Sequence, residues 1–524
     1  MPLGPLFKHC RHTVLVATLP LALVCANLPT ASHAASPESA GAYYTGDMHL
    51  RFKQLKHPQI DLVGGQWATV QDEQGFIWFG GAGGVARFDG YNLKLYRHSA
   101  DDIHTLSNNY VTDLLIADDG TLWVTTLWGL NRYDAANDRF VRYENDPNNT
   151  NSLSHNWVWN IAQDSQGNYW LATDGGGLVH LTKDSQFTTY PHNPNDNNSA
   201  PSDALLAVYV DSQDNVWVGS KEHGLSRFTP ATGKFKHYPS IDGDNKSLSH
   251  GKVNAIFEDS QRHLWVGTDA GLNRLERTSD TFKRFLHNAN DDSTIGGNLI
   301  RGISQDSKGR LWIATDGGGL AVYRSDELGF ERYQNIAGKT GGPLNNKVRS
   351  IFEDNNGGLW FGHYPAGISQ IDRYASAFHN FQNSPFDENT LSNSDILGVT
   401  EDSEGNLWVG TEGGLNHIDL TTDDVTRYLH DPSDPTSVPA NPVTSAAVDA
   451  QGNVWAGTWG GGLGKLPPGA KEFINYKPIP SKPNSLRDAV VRTLIIDSRG
   501  DLWLGGGHGI SRYRPSSDDF EHFI

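Results

Sequence analysis

Ten tryptophans recur along the chain at an almost constant interval: Trp78, Trp123, Trp170, Trp217, Trp265, Trp312, Trp360, Trp408, Trp455 and Trp503. Successive gaps lie between 45 and 48 residues. A period this regular restricts the fold more than any other feature. It falls in the range of four-stranded propeller blades; solenoid repeats are mostly shorter or helical, and apolar residues here show no helical spacing. Around Trp408 the unit reads as four strands, A over 396–402, B over 407–411, C over 414–419 and D over 425–430. Strand B is apolar nearly throughout, as expected where both faces are covered. The 56 glycines and an aromatic content of 10% agree with an all-β repeat protein.

An aspartate closes strand A six residues before the tryptophan in nine units: Asp72, Asp164, Asp211, Asp259, Asp306, Asp354, Asp402, Asp449 and Asp497. In the second unit Asp118 stands five residues before Trp123. Aspartate accepts hydrogen bonds from backbone N–H groups two or three residues on, and glycine supplies positive φ. The array therefore reads as turn capping, and the tryptophans as blade packing.

The first 34 residues read as a secretory signal. Lys8 and Arg11 precede the short apolar run "TVLVATLPLALVCA", and Ser32 and Ala34 are the small residues before a cleavage point. The run is too short for a membrane span. Both cysteines, Cys10 and Cys25, lie inside this segment, so the mature chain is expected to hold together without disulfides. Removing Lys8 and Arg11 takes the formal charge from −18 to −20. An acidic exported protein, periplasmic or secreted, is a poor partner for nucleic acid or an anionic membrane. No later stretch is long and apolar enough to span a membrane.

Strand parity sets a functional face. If A descends and B returns, the B–C turns and the long D–A loops emerge on one side. The B–C turns vary where the scaffold does not, and the D–A loops are polar, as in "NDPNNTNSLSHN" (145–156). Candidate ligand contacts in the turns are Trp128, Asp174, His223, Asp316, Tyr364, Trp459 and His508. Trp157, Arg301 and Lys347, with Asp203, Lys252 and Asp395, stand near the top of strand A and are expected to line the axial channel. The 21 histidines show no metal-ligand spacing. "DGDNKS" (242–247) lacks the distal glutamate of a calcium loop. No metal and no cofactor is expected.

The stretches "RFKQL", "QDEQGFIWFGGAGGVARFDGYNLKLYRH" and "HTLSNNYVTDLL", and the unit "EDSEGNLWVGTEGGLNHID", resemble the two-component regulator propeller family. The resemblance runs from about Arg51 to the C-terminus. It implies a periplasmic ligand sensor with two seven-bladed propellers, a β-sandwich, a membrane helix and a histidine kinase or diguanylate cyclase output. This sequence stops at "DDFEHFI" and carries none of the later parts. It has ten A–B–C sets but eleven D-like strands, from "RFKQL" to "DFEHF". The preferred arrangement is a first propeller of seven blades over 45–374, closed by "RFKQL". A partial second propeller of three blades then occupies 375–524, opened by "AFHNF". A ten-bladed ring is the alternative. Three blades would leave an unpaired edge, which suggests a truncated product.

The functional expectation is the ligand-sensing propeller region of a two-component or cyclic-di-GMP signalling receptor, not an enzyme. It would bind a small molecule or oligosaccharide and dimerise through a longer receptor. Two other readings stay open. One is a protein-interaction scaffold. The other is a glycan-directed enzyme, because the hairpin is also similar to the Asp-box of sialidase-type glycosidases and to the streptogramin lyase repeat. A glycosidase needs two carboxylates at defined separation across a cleft, and spacing alone does not pair Asp269, Asp316 or Glu412.

Overall fold

Period and strand content lead, among the described residues, to forty strands arranged as ten four-stranded antiparallel sheets. The computed structural model describes residues 50–523 except 338–340, 374–380 and 386. The signal segment with Cys10 and Cys25, and the "AFHNF" strand except Phe381, lie outside these residues. The eighth sheet is representative: A is Ile396–Glu401, B is Leu407–Thr411, C is Gly414–Ile418 and D is Val425–Tyr428. Its strands A, C and D end one or two residues earlier than the sequence suggests. Asp402 has already left the ladder, its N–H donating to the Asn406 carbonyl across the turn.

Nine sheets take their four strands consecutively. The seventh does not: its fourth strand is Lys53–Gln54, paired with Gln370 and Ser369. "RFKQL" therefore supplies the strand expected of it, shortened to two residues. The apolar core is divided into layers filled by two neighbouring sheets, apart from a small cluster of Leu391, Val409 and Ile418 on the eighth sheet. Trp78, Val85, Val111 and Val124 join the first sheet to the second. Trp312, Leu320, Val348 and Phe361 join the sixth to the seventh. Trp360 and Ile368 of the seventh pack against Ile77 and Phe79 of the first. Two further layers link the eighth, ninth and tenth sheets. Ile396, Leu397 and Val399 in the eighth sheet and Ile495 and Ile510 in the tenth are exposed.

Strand B is buried at every residue in eight of the ten sheets. Its tryptophan inserts between sheets, and its indole N–H needs an acceptor there. The aspartate six residues earlier supplies it. Asp211 Oδ1 accepts the Gln213 and Asn215 backbone N–H groups at 3.0 and 2.9 Å, while Oδ2 accepts Trp217 Nε1 at 2.8 Å. One carboxylate thus closes the A–B turn and anchors the tryptophan. The same indole bond, 2.7 to 3.1 Å, recurs for all nine aspartates at this spacing.

The second sheet corrects the sequence reading. Ala117, not an aspartate, stands six residues before Trp123, and the turn still closes, with Ala117 N–H donating to Thr121 O at 2.9 Å. The capping carboxylate there is Asp119, which accepts the Thr121 N–H at 3.0 Å. Asp118 does not take the capping place; its backbone N–H donates to Gln163 Oε1.

Candidate functional site

The B–C turns and D–A loops do share one end of the strands. Turn N–H groups donate to carbonyls at the start of strand A or in the following D–A loop: Asp174 to Trp157 O, Gly175 to Asp203 O, Asp316 to Leu299 O and Tyr364 to Lys347 O. The long polar loops are buttressed. His98, His192, His287 and His430 each meet a carbonyl eight residues on through Nδ1, at 2.7 to 2.8 Å. Arg142, Arg284, Arg332 and Arg427 on strand D donate to the carbonyls of Thr105, Ser247, Thr294 and Thr390 in the preceding loop. These bonds tie each loop to itself and to the strand D that borders it.

Every sheet carries a register shift at the second residue of strand A, for example between Ile300 and Gly302 and between Val348 and Ser350. The extra residue of such a β-bulge is released from the ladder and its side chain is re-aimed. In the first seven sheets the bulge residues are Trp67, Thr112, Trp159, Leu206, Asn254, Arg301 and Arg349. Several meet across sheet boundaries. The Arg349 guanidinium lies 4.9 Å from the Trp67 ring centre and 5.0 Å from that of Tyr364. Trp67 in turn packs on Tyr110, with centroids 5.9 Å apart. Arg349 donates to Asp316 at 2.7 Å. Arg301 stands 3.8 Å from both Asp316 and Asp269 and donates to Asn254 Oδ1 at 3.2 Å. Lys252 pairs with Asp269 at 3.1 Å. The arc Lys252–Asp269–Arg301–Asp316–Arg349–Trp67–Tyr110 thus crosses from the fifth sheet through the seventh and the first to the second.

Its electrostatics follow from burial and pairing. Burial would raise the Asp269 carboxyl, but hydrogen bonds from Asn254 and Lys252 and the nearby cations hold it below the usual range. Burial, with Arg301 as a neighbouring positive charge, lowers Arg349. Burial raises the Tyr110 phenol. Deeper in the inner strands, burial pushes the Asp113 carboxyl up to about 6 despite hydrogen bonds from Ile161, Leu114 and Asn160. Three N–H donors of the arc, Trp67 Nε1, Arg301 Nε and Arg349 Nε, are buried without a hydrogen-bond partner. Buried polar groups ordinarily have one, and planar guanidinium donors suit carboxylate or hydroxyl oxygens.

The sequence candidates fall into separate groups. Asp316, Arg301, Tyr364 and Lys347 belong to the arc; Lys347 Nζ lies 5.8 Å from the Tyr364 ring centre. Asp174 pairs with Lys221 at 3.3 Å and accepts from Trp159 at 3.4 Å. Trp128 is 50% exposed, and Trp157 is exposed beside His155. His223 is exposed, its backbone N–H on Ser220 Oγ. Asp203 caps loop backbone, accepting His192 N–H at 2.7 Å. Trp459 and His508 stand on the ninth and tenth sheets, with Arg492 over Trp459 at 5.3 Å and Asp488 on His508 at 2.8 Å. Arg349, Trp67, Asn254 and Tyr110 were not singled out from sequence. Among the described residues, no cluster of His, Cys, Asp or Glu could hold a metal ion.

Seven segments, 105–128, 152–175, 247–270, 294–317, 342–364, 390–413 and 437–460, match the family described as two component regulator propeller. These are two-component regulator propeller repeats. Each matched segment runs from a D–A loop through strands A and B into the B–C turn, so the repeats carry both the bulge and the face. Among solved structures, the chain is similar to the extracellular domain of BT3049 from B. thetaiotaomicron, described as a hybrid two component system. The TM-score is 0.59 and the identity 21%, over 91% of this chain and 73% of that one. The extracellular domain of BT4673 from the same organism gives 0.51 and 19%, over 91% and 74%. Streptogramin B lyase is more distant, at 0.45 and 16% over 62% of this chain. No curated protein matches the chain. Among the described residues, no helix is long and apolar enough to cross a membrane.

Proposed function

We propose that this chain is the ligand-sensing propeller region of an exported two-component or cyclic-di-GMP signalling receptor. In this reading residues 45–374 form a seven-bladed propeller, and 375–524 are three blades of a second. The proposal rests above all on the three buried, unpartnered donors of Trp67, Arg301 and Arg349, gathered by bulges at the loop-bearing face. Their chemistry fits an oxygen-rich ligand such as an oligosaccharide, with Trp67 and Tyr364 as stacking surfaces and Asp316 and Asp269 as acceptors. The repeats, and the likeness in fold to extracellular domains of two component systems, support the same reading.

The test is a thermal-shift screen of neutral oligosaccharides, uronic-acid oligosaccharides and short peptides, followed by calorimetry. One class should raise the melting temperature saturably without product release. Arg349→Met should weaken that binding at least tenfold. A screen in which no class binds, or a ligand indifferent to Arg349→Met, would refute the assignment; turnover would turn it towards an enzyme.

A further inference from the structure

At the other end of the strands, the second sheet differs from the rest. Nine indoles donate to the carboxylate six residues earlier, whereas the residue six before Trp123 is Ala117. Trp123 is only 5% exposed, and its Nε1 has no hydrogen-bond partner. Arg132 lies directly opposite Trp123 in the B–C register, and its Nε is also buried and unpartnered. The Tyr169 ring of the third sheet packs 4.8 Å from Trp123. Burial raises the Tyr169 phenol; the indole N–H is near enough to oppose that rise but lacks hydrogen-bond geometry. These side chains open onto a cleft of about 440 Å³ whose walls also include Asp118, Asp119 and Lys183.

We propose that this cleft binds a small carboxylate-bearing molecule. Its carboxylate takes the place that an aspartate side chain fills in the other nine sheets, accepting from Trp123 Nε1 and the Arg132 guanidinium. Charge-assisted, forked contacts of this kind favour a carboxylate over a neutral oxygen. Asp118 and Asp119 balance Arg132 and Lys183, so the cleft has no excess positive charge to draw a polyanion. The two aspartates instead suit hydroxyl or ammonium groups on the same ligand, a chemistry common to uronic acids and amino acids. The site is separate from the loop-bearing face and goes beyond the sensing role proposed for it.

The experiment follows the Trp123 indole N–H resonance in ¹⁵N-tryptophan-labelled protein, assigned with Trp123→Phe. The probes are D-glucuronate, glycine and D-glucose. Glucuronate or glycine should shift the Trp123 resonance saturably, and the responding one identifies the ligand class; glucose should not. Without ligand, Ala117→Asp should move the resonance towards those of the nine bonded indoles. It should also reduce the probe response at least tenfold. Arg132→Met should abolish the response, and Arg349→Met should leave it unchanged, which separates this site from the face. The proposal is overturned if neither carboxylate produces a saturable shift, if glucose matches them, or if the response survives Ala117→Asp.

Discussion

Replacing Asp211 by alanine tests what sets the repeat. The side chain is buried and accepts the Gln213 and Asn215 amides and the fully buried Trp217 indole. Losing the carboxylate strands the indole donor, which costs roughly 1–3 kcal/mol. The two turn amides lie nearer water, and each adds about 0.5–1 kcal/mol. The expected total is about 3 kcal/mol. The fold itself should survive, because Ala117 already closes the equivalent turn in the second sheet. Asp211→Asn keeps one acceptor oxygen and should cost about half as much. Equilibrium urea unfolding, followed by tryptophan fluorescence and far-ultraviolet circular dichroism, gives these values where the two transitions coincide. A double-mutant cycle with Trp217→Phe isolates the indole bond, with an expected coupling of about 1.5–3 kcal/mol. A loss for Asp211→Ala below about 1 kcal/mol, or a coupling near zero, would show that the recurring pair is not held together by this bond.

Burial holds His363 down to about 4, against a hydrogen bond that the ring donates to the Asn345 backbone. The stability from keeping its ring neutral is full above pH 6.5 and is lost as pH falls to 4, about 3 kcal/mol in all. Asp113 acts in the opposite sense: with its carboxyl raised to about 6, stability falls as pH rises from 3.8 to 6. His363→Thr adopts the residue found at the same place in six other sheets, among them Thr268 and Thr315. It should uncover the Asp113 trend as a decline of about 3 kcal/mol between pH 4 and 6; an unchanged pH profile in urea titrations would contradict both assignments. Arg142→Met removes donors to Asp102 O, Thr105 O and Thr105 Oγ1. It should speed limited proteolysis within 98–109 severalfold while leaving the other loops as resistant as before. Arg349→Lys keeps the charge but loses the planar fork and should weaken ligand binding at the face nearly as much as Arg349→Met, as measured by calorimetry.

The architecture was legible because its determinants are periodic. A Trp every 45–48 residues and an Asp six positions earlier mark sheet and turn alike, and both follow from simple burial and turn chemistry. That the two residues bond to each other could not be read from spacing alone, since the spacing does not fix to which face strand B points the indole. The site was only partly legible. Trp157, Lys252 and Lys347 were singled out as the residues opening strand A, yet the bulges fall two positions later, at Trp159, Asn254 and Arg349. A bulge breaks the alternation on which a sequence reading depends, and of the residues named near the top of strand A only Arg301 coincides with a bulge position. Trp67 stayed hidden for a related reason: its neighbour Arg349 comes from the seventh repeat, nearly three hundred residues away in the sequence. Asp118 was misread because adjacent acidic residues, Asp118 and Asp119, blurred which of them took the capping place.

The residue opening strand A and the one after it divide their labour. The first is Val, Leu or Ile in nine of the ten sheets, and the second varies among Trp, Thr, Leu, Asn and Arg. Because the second residue is outside the ladder, it can change without disturbing the pairing beneath it. Such a scaffold can exchange one specificity for another a single substitution at a time, sheet by sheet, while its folding instructions remain written in neighbouring positions.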